Sequence, residues 1–437
     1  MKKRVLAMGL AMAMTAGLLL SGCGNSKEGE KESGSKQDNI TLTIASAMVT
    51  ENPEGGLEQA LADAYMKEHP HVNVEFISMP APEISKRIVT MATGGNLPDL
   101  FFVPNDFMPQ LYELEIVADL EKLMGQEWLN GCNQNLLRDI KINDKMMCVP
   151  WTTCPYAIIY RADWLKELKL EVPETWEEFR EVAKAMTRDT DGDGKTDTWG
   201  LGMVGSRDNS GEQRFALLSK SFGADEIYQE SDTWKTGIGS SEFEEALKFY
   251  TELYTEDGVV PPGPTEVNYS SSLELFATGQ VGMIMTGPHS FGYILKNNPD
   301  LEGKLGSFVI PMKERHVSSS VVGGYTITTS CENPEVAADY MEFITSTENA
   351  IEFGKATGRM PVRTEAAADP AFSTEQYKGF LEAMDYVVEP KTFPKYTALL
   401  DTIGEAYSNI LSGSAEFDDA YSTMIKKAEA VIEEQEE

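Results

Sequence analysis

The sequence has few histidines and cysteines, and none of them is spaced as a metal-binding or catalytic motif. It holds 4 histidines and 5 cysteines in 437 residues, without a CxxC pair or a zinc signature. A zinc site needs ligands at such spacings, and no phosphate-binding glycine loop or nucleophile elbow is present either. These absences argue against enzyme classes that carry a diagnostic motif. They leave open a glycosidase, which needs only two carboxylates across a cleft.

Basic residues are also scarce. There are 37 Lys and Arg against 70 Asp and Glu, which gives a formal net charge of −33 at pH 7. A body of this charge is repelled by nucleic acid and by anionic lipid headgroups. We therefore expect no nucleic-acid partner.

Long apolar runs are absent after residue 20, so no later segment reaches the length of a membrane-spanning helix. Before it, residues 2–4 are basic and residues 5–20 are apolar, which predicts a signal peptide over 1–22. The sequence then reads Leu-Ser-Gly-Cys up to Cys23, which resembles a bacterial lipobox. Cys23 is thus the expected lipidation site, and 23–39 the expected disordered tether. The alternative is an ordinary secretory signal with a chance cysteine.

The four remaining cysteines are Cys132, Cys148, Cys154 and Cys331. Export permits disulfides, and Cys148 with Cys154 is the nearest pair along the chain. Buried free thiols are the other interpretation.

Apolar periodicity predicts an α/β fold. Alternating apolar residues indicate strands at 40–44 and 72–76, residues 98–103 indicate a short buried strand, and helical periodicity lies between them. The order βαβαβ favours a parallel sheet with helices on both faces. Ligands bind at the carboxyl ends of such strands, which places Asn105 and Asp106 at the rim of a cleft. The length of the chain favours two lobes.

One stretch, RDTDGDGKTDTWG at 188–200, has the spacing of a calcium loop. Carboxylates fall at positions 1, 3, 5 and 9 of an EF-hand count, and Lys195 can supply its backbone carbonyl at position 7. The predicted ligands are Asp189, Asp191, Asp193, Lys195 and Asp197. Position 12 is Gly200, where an EF-hand has a bidentate glutamate. We therefore expect a structural Ca²⁺ rather than a sensor, with an Asp/Gly turn without metal as the alternative.

Six further stretches together resemble family 1 extracellular solute-binding proteins of ABC importers, the group that includes maltose- and oligosaccharide-binding proteins. Each is weak alone, but they occur in the order of the family and span nearly all of the predicted mature chain. They are TGGNLPDLFFVPND (93–106), VPWTTCPYAIIYRADWLKEL (149–168), VPETWEEFREVAKAMT (172–187), FATGQVGMIMTGPHSF (276–291), VGGYTIT (322–328) and FGKATGRMPVR (353–363).

This resemblance implies a two-lobed periplasmic-binding-protein fold of the α/β class, with three interlobe crossovers and a ligand cleft between the lobes. The first lobe would hold 40–152 plus 288–327, and the second 153–286 plus 328–437. Hinge closure on a carbohydrate would present it to the transmembrane permease of an ABC transporter. The protein would be a monomer, lipid-anchored at the outer face of the cell membrane, and not an enzyme.

A sugar site needs aromatic rings for the apolar faces of the sugar and planar polar groups for its hydroxyls. The resemblance assigns such roles to cleft residues, and each could instead be structural. His289 departs from the family, which often has a stacking tryptophan at that position; imidazole is smaller and can form hydrogen bonds. Glu212 matches no firm motif. The predicted ligand-binding residues are Asn105, Asp106, Trp151, Glu212, His289, Tyr325 and Arg359.

Three alternatives stay open at this point. The solute could be a peptide or a polyol, because no motif is diagnostic of sugar. A secreted glycosidase would release reducing ends from glycans. A calcium-dependent adhesin would bind insoluble polymer or cells rather than a small solute.

Overall fold

The computed structural model describes residues 39–436 except 232 and 389–392, without the side chains of 81, 82, 106, 435 and 436. The predicted signal peptide, Cys23 and the tether up to residue 38 lie outside the described residues. Within them, no helix combines the length and the apolar character needed to cross a membrane.

The described strands, in chain order, are β1 (Ile40–Ser46), β2 (Val72–Ser78), β3 (Leu100–Phe102), β4 (Lys141–Ile142), β5 (Lys145–Met146), β6 (Val149–Pro155), β7 (Ala157–Arg161), β8 (Trp199–Leu201), β9 (Tyr228–Glu230), β10 (Thr233–Lys235), β11 (Val281–Thr286), β12 (Leu305–Phe308), β13 (Ser320–Ile327) and β14 (Met360–Pro361).

The described α-helices are α1 (Glu54–Glu68), α2 (Ala81–Gly94), α3 (Met108–Leu114), α4 (Leu120–Asn130), α5 (Gln134–Asp139), α6 (Ala162–Leu168), α7 (Trp176–Met186), α8 (Asn209–Ser221), α9 (Ser241–Thr255), α10 (Tyr269–Ala277), α11 (Ser290–Asn297), α12 (Pro334–Ile344), α13 (Thr347–Thr357), α14 (Thr364–Ala367), α15 (Lys378–Ala383), α16 (Tyr396–Leu411) and α17 (Phe417–Glu436).

Two sheets organise the chain. The larger has the strand order β14-β6-β13-β3-β1-β2, and the smaller has the order β12-β7-β11-β8. Strand β1 runs parallel to β2 and β3, as the βαβαβ pattern predicts, whereas β13 runs antiparallel to β3 and β6. We call the larger sheet with its helices the first lobe and the smaller sheet with its helices the second lobe. The predicted α/β architecture is confirmed.

Local sequence signals explain why individual helices begin where they do. Helix α7 begins with a capping box, as the spacing of Thr175 and Glu178 in the sequence predicts: the Thr175 hydroxyl accepts from the Glu178 backbone N–H at 3.2 Å, and the Glu178 carboxylate accepts from the Thr175 N–H at 3.2 Å. Two of the first backbone donors of α7 are satisfied in this way. The buried face of the helix then packs into the second lobe.

The chain crosses between the sheets three times. It passes from β6 to β7, returns between β12 and β13, and leaves the larger sheet again after β14 to form α15 and α16. Helix α15 packs on β12 and β7, and α16 packs on α8 and α9.

The predicted lobe boundaries differ from this arrangement in three places. Residues 153–155 were predicted for the second lobe, but they are the end of β6 and pair with β13 in the first-lobe sheet. Strand β12 falls within 288–327, predicted for the first lobe, yet it pairs with β7 in the second-lobe sheet. Gly306 permits this because a Cβ there would lie 2.5 Å from the Tyr160 ring. Residues 334–361 were predicted for the second lobe, but α12 packs on α4 and α1 of the first lobe. There the Trp128 indole donates to Thr345 at 3.0 Å.

All four described cysteines are buried free thiols. Cys148 and Cys154 are therefore not bonded to each other, and the free-thiol interpretation is confirmed.

Candidate functional site

A cavity of about 600 Å³ is lined by residues of both lobes. Cys154 of β6, Val321 of β13 and Arg359 contribute from the first lobe. The second lobe contributes the first turns of α8 and α10, together with Arg214 and His289. We call it the interlobe cavity.

Helix α8 begins at this cavity because Asp208 caps it. The Asp208 carboxylate accepts from the backbone N–H groups of Ser210 at 2.8 Å and Gly211 at 3.2 Å, which are donors that a helix start leaves free. Gly211 lets the helix approach its neighbours, since a Cβ would lie 2.3 Å from the Ser206 carbonyl oxygen. With the helix in this place, Asn209 and Gln213 line the cavity.

Helix α10 begins there in the same way. The Asn268 side chain accepts from the Ser271 N–H at 3.1 Å, and the Ser271 hydroxyl accepts from the Asn268 N–H at 2.9 Å. This reciprocal cap places Tyr269 and Ser270 on the cavity wall. Two helix N-termini therefore meet the same cavity.

Arg214 is the most buried cation of the cavity wall, with 5% of its surface exposed. Its Nε donates to the Met285 carbonyl at 2.8 Å and its Nη1 to the Ser210 carbonyl at 2.6 Å. The guanidinium carbon lies 5.1 Å from the ring centroids of both Tyr156 and Tyr269. Two cation–π contacts and two carbonyls thus fix the guanidinium beside the cavity.

His289, predicted as a ligand-binding residue, lies on the cavity. Its Nε2 is 2.8 Å from the Tyr269 hydroxyl, while its Nδ1 has no hydrogen-bond partner among the described residues. Burial, followed by the positive charges of Arg359 and Arg214, lowers the pKa of His289 to about 4. The imidazole is therefore neutral at pH 7, and because its Nδ1 is buried, its hydrogen bond with Tyr269 is the contact that fixes the ring at the cavity wall.

Arg359, also predicted, lies on the opposite wall. Its Nε donates to Glu54 at 3.2 Å and its Nη2 to Glu51 at 3.3 Å, and its Nη1 lies 3.8 Å from the Cys154 sulfur. Burial opposes its charge, but the neighbouring thiol and carboxylates outweigh that effect and raise the pKa of Arg359. Its charge is matched within the first lobe.

Trp151 and Tyr325, predicted to contact ligand, do not line the cavity and are each 1% exposed. The Trp151 ring lies 4.2 Å from the Phe353 ring in the core. The Tyr325 hydroxyl contacts Ser46 at 2.7 Å and donates to the Glu58 carboxylate. Burial raises the pKa of Glu58 to about 7. These two aromatic residues therefore belong to the first-lobe interior.

Of the other predicted ligand-binding residues, Glu212 and Asn105 do not line the cavity. Glu212 is 4% exposed and packs against Gly404 of α16; burial, then the negative charges of Asp401 and Asp208, raise its pKa to about 7. Asn105 donates to the Ser320 carbonyl at 3.2 Å, one residue before cavity-lining Val321. The side chain of Asp106 lies outside the described residues.

Sequence reasoning missed most of the cavity wall. Two short stretches, DNSGEQ (208–213) and NYSS (268–271), could have indicated it. In each, an Asp or Asn cap is followed by small polar residues, which predicts an exposed helix N-terminus. The second-lobe and linker residues that were not anticipated are Tyr156, Asp208, Asn209, Ser210, Gln213, Arg214, Asn268, Tyr269 and Ser270.

The residues of the calcium-like loop are not among those that line this cavity. Ligand oxygens of Asp189, Asp191 and Asp197 all lie within 4.8 Å of one another. Backbone N–H groups of Gly194 and Gly192 lower the pKa of Asp189, and the Thr190 hydroxyl and N–H lower that of Asp197. The loop therefore holds three carboxylates together, which is the donor chemistry that Ca²⁺ requires.

The other two predicted calcium ligands are arranged differently. The Asp193 carboxylate accepts from the Lys195 N–H at 2.8 Å and faces the Lys195 ammonium at 3.3 Å. Asp193 is not part of the three-carboxylate group. Gly200, the twelfth position, is in strand β8 rather than in a helix. Of the predicted ligands, Asp189, Asp191 and Asp197, at positions 1, 3 and 9 of the EF-hand count, are therefore arranged as a calcium loop requires.

Comparison with known proteins gives consistent results. A sequence model of the family described as bacterial extracellular solute-binding protein matches residues 50–351. The multiple sugar-binding protein of Streptococcus mutans is 23% identical over 340 residues, which cover 75% of this chain and 76% of that protein. The putative ABC transporter periplasmic-binding protein YcjN of Escherichia coli is 21% identical over 356 residues, covering 79% and 75%.

Solved structures share the fold. Maltose-bound MalE3 of T. maritima superposes with a TM-score of 0.72 at 21% identity, covering 90% of this chain and 100% of that one. The sugar-binding protein MalE of Xanthomonas citri gives a TM-score of 0.76 at 16% identity, covering 91% and 98%. The predicted periplasmic-binding-protein fold is confirmed. With the family match spanning most of its length, the chain belongs to the bacterial extracellular solute-binding proteins, the binding components of ABC transporters, and is not an enzyme.

Proposed function

We propose that the protein captures a carbohydrate, an oligosaccharide in particular, in the interlobe cavity and delivers it to the permease of an ABC transporter by closure of the two lobes. The observation that carries this proposal is the cavity itself. Its volume of about 600 Å³ lies within the range of small-molecule sites. Its wall offers hydroxyl, amide and guanidinium groups that suit sugar hydroxyls.

Similar proteins support the choice of solute. Similar proteins include a multiple sugar-binding protein and a diacetylchitobiose-binding protein, and two similar solved structures are bound to tagatose and to maltose. The lipobox-like sequence before Cys23 further supports a protein anchored by lipid at the outer face of the membrane, which keeps the binder beside its permease.

The test of the carbohydrate assignment is a thermal-shift screen of the purified protein against mono- and oligosaccharides, with peptides and polyols as comparison sets. A ligand present at a hundredfold excess over its Kd stabilises the folded state by about 2.7 kcal/mol, so a true ligand should raise Tm by several degrees. A rise with peptides or polyols and none with any carbohydrate would contradict the assignment. Release of reducing ends from glycans would contradict the transport role.

We also propose that the loop 189–197 binds a structural Ca²⁺. Its support is the group of three neighbouring carboxylates at Asp189, Asp191 and Asp197. Ca²⁺ prefers six to eight oxygen ligands, and Mg²⁺ retains its waters, so Ca²⁺ should stabilise the protein more than Mg²⁺ at equal concentration.

Calcium titrated to about 10 mM, well above the Kd of weak extracellular sites, should raise the Tm of EDTA-treated protein. Asp191→Asn should remove most of that rise, because it deletes one charge of the group. The matched control is Asp300→Asn, an exposed acidic residue outside the loop, which should keep the full response. Equal Tm with EDTA and with calcium would overturn the metal site.

A further inference from the structure

Arg214 has no acidic partner among the residues that the structure describes. Among the described residues no carboxylate forms an ion pair with it, and its protein acceptors are two backbone carbonyls. It is nevertheless 95% buried and lines the interlobe cavity. Burying a charge is costly unless it is paired. Arg214 also lines a small apolar space of about 30 Å³ inside the second lobe, so the interlobe cavity is the larger of the two spaces that could hold an acidic partner.

The start of α10 adds to the positive potential of the same wall. Asn268 caps this nine-residue helix with a neutral amide, and its first turn contains no acidic residue. The N-terminal end of a helix carries a partial positive charge. Because the cap is neutral, that charge is uncompensated beside Tyr269, whose ring contacts Arg214.

The remaining charged groups of the cavity are already matched. Arg359 pairs with Glu51 and Glu54. Among the described residues, the acidic side chain that lines the cavity is that of Asp208, and its carboxylate serves the start of α8 and the hydroxyls of Ser206 and Ser210. Of the described groups of the wall, Arg214 and the α10 terminus are therefore those without a counter-charge.

Aromatic stacking is correspondingly limited. Tyr156 and Tyr269 are the aromatic side chains that line the cavity apart from the His289 ring, and the Arg214 guanidinium lies over both tyrosine rings. One face of each is thus occupied by the cation. A neutral oligosaccharide would find little free ring surface, whereas an acidic group would find a prepared cation.

We infer, on the basis of the proposed carbohydrate function, that the solute is an anionic saccharide whose carboxylate or phosphate pairs with Arg214 beside the N-terminus of α10. A guanidinium matches both groups with paired N–H donors. The acidic group of the solute completes the ion pair that the protein leaves open.

The experiment is calorimetry on the purified protein with sugars that differ only at C6: a hexose, its uronic acid and its 6-phosphate, as monomers and as short oligomers of each common hexose. At least one acidic sugar should bind about tenfold more tightly than its neutral counterpart, which corresponds to a difference of about 1.4 kcal/mol in binding free energy. The uronate and phosphate arms separate the two sources of charge. Salt should weaken that binding between about 0.01 M and 1 M, as the Debye length falls from about 30 Å to 3 Å.

Variants test the assigned groups. Arg214→Met should abolish the preference for the acid, and Arg214→Lys should keep part of it. Asn268→Asp provides a second test if the Arg214 variants do not fold, because aspartate preserves the cap but adds a negative charge at the cavity; acid affinity should fall severalfold. The matched control is Asn133→Asp, the same exchange at the cap of α5 outside the cavity, which should leave affinity unchanged.

The outcomes separate the two proposals. Equal or tighter binding of neutral sugars overturns the anionic solute and leaves the carbohydrate function standing. If the preference for acidic sugars persists in both Arg214→Met and Asn268→Asp, the acidic group of the solute does not bind at Arg214 and the N-terminus of α10. Absence of binding by every sugar overturns both proposals together.

Discussion

Replacing Gly200 by alanine should destabilise the protein by about 3 kcal/mol or more, the upper part of the range for overpacked sites. Gly200 lies in β8, and an added Cβ would stand 2.2 Å from the carbonyl oxygen and 2.4 Å from the Cα of Ala183 in helix α7. These are backbone atoms, so no side-chain rotation relieves the clash; the strand and helix must separate. Urea unfolding should show a lower midpoint.

The matched control is Gly56→Ala in helix α1. A Cβ at Gly56 meets no atom within 4 Å, and alanine is favoured over glycine in a helix by about 1 kcal/mol. This variant should be as stable as the parent protein or slightly more so. A Gly200→Ala protein with the parent midpoint would refute the packing of β8 on α7.

Gly200 also explains where the calcium pattern stops. Counting from Asp189 identifies position 12 as a glycine, but the count cannot reveal that this residue is already part of a strand pressed against α7. A glutamate there would need space that the helix occupies. Local spacing predicted the acidic group, and tertiary packing decided where the loop ends.

The same division between local and long-range information holds for the fold. Period-two alternation predicted β1 and β2, and Thr175 with Glu178 predicted the start of α7, because these signals lie within a few residues of one another. The membership of β12 in the second-lobe sheet depends on its pairing with β7, about 145 residues earlier in the chain. No local pattern encodes that pairing.

Tyr325 shows why a residue predicted to contact the solute can instead point into the core. It follows Gly323 and Gly324, and the register of β13 against β6 shifts between those two glycines. A one-residue shift moves every following side chain to the other face of a strand. The ring consequently enters the core beside Trp151 and Phe102 instead of reaching the cavity.

Arg214 was missed for a related reason. In the sequence it is one polar residue within an unremarkable helix, and its importance comes from three remote partners: Tyr156, Tyr269 and the Met285 carbonyl. His289 and Arg359 were found because they follow recognisable loops. Site residues on loops within the family-like stretches could be predicted. A buried arginine whose surroundings come from four separate segments of the chain could not.

Trp151→Ala should lower the free energy of unfolding by about 3 kcal/mol or more, while the affinity for solute stays close to that of the parent. The indole is 1% exposed, packs on Phe353 and Tyr325, and does not line the interlobe cavity. Removing it leaves a void in the first lobe without removing a ligand contact. Urea unfolding measures the first effect, and calorimetry below the unfolding midpoint measures the second.

Trp234→Ala is the control for the substitution itself, because Trp234 is a partly buried residue on the hairpin of β9 and β10. It should lose less stability than Trp151→Ala, since less apolar area returns to water. The opposite pattern for Trp151, in which stability changes little and solute affinity falls about tenfold or more, would mean that the indole reaches the solute. The lobes would then have to rearrange on closure far enough to expose a side chain that now lies in the first-lobe core.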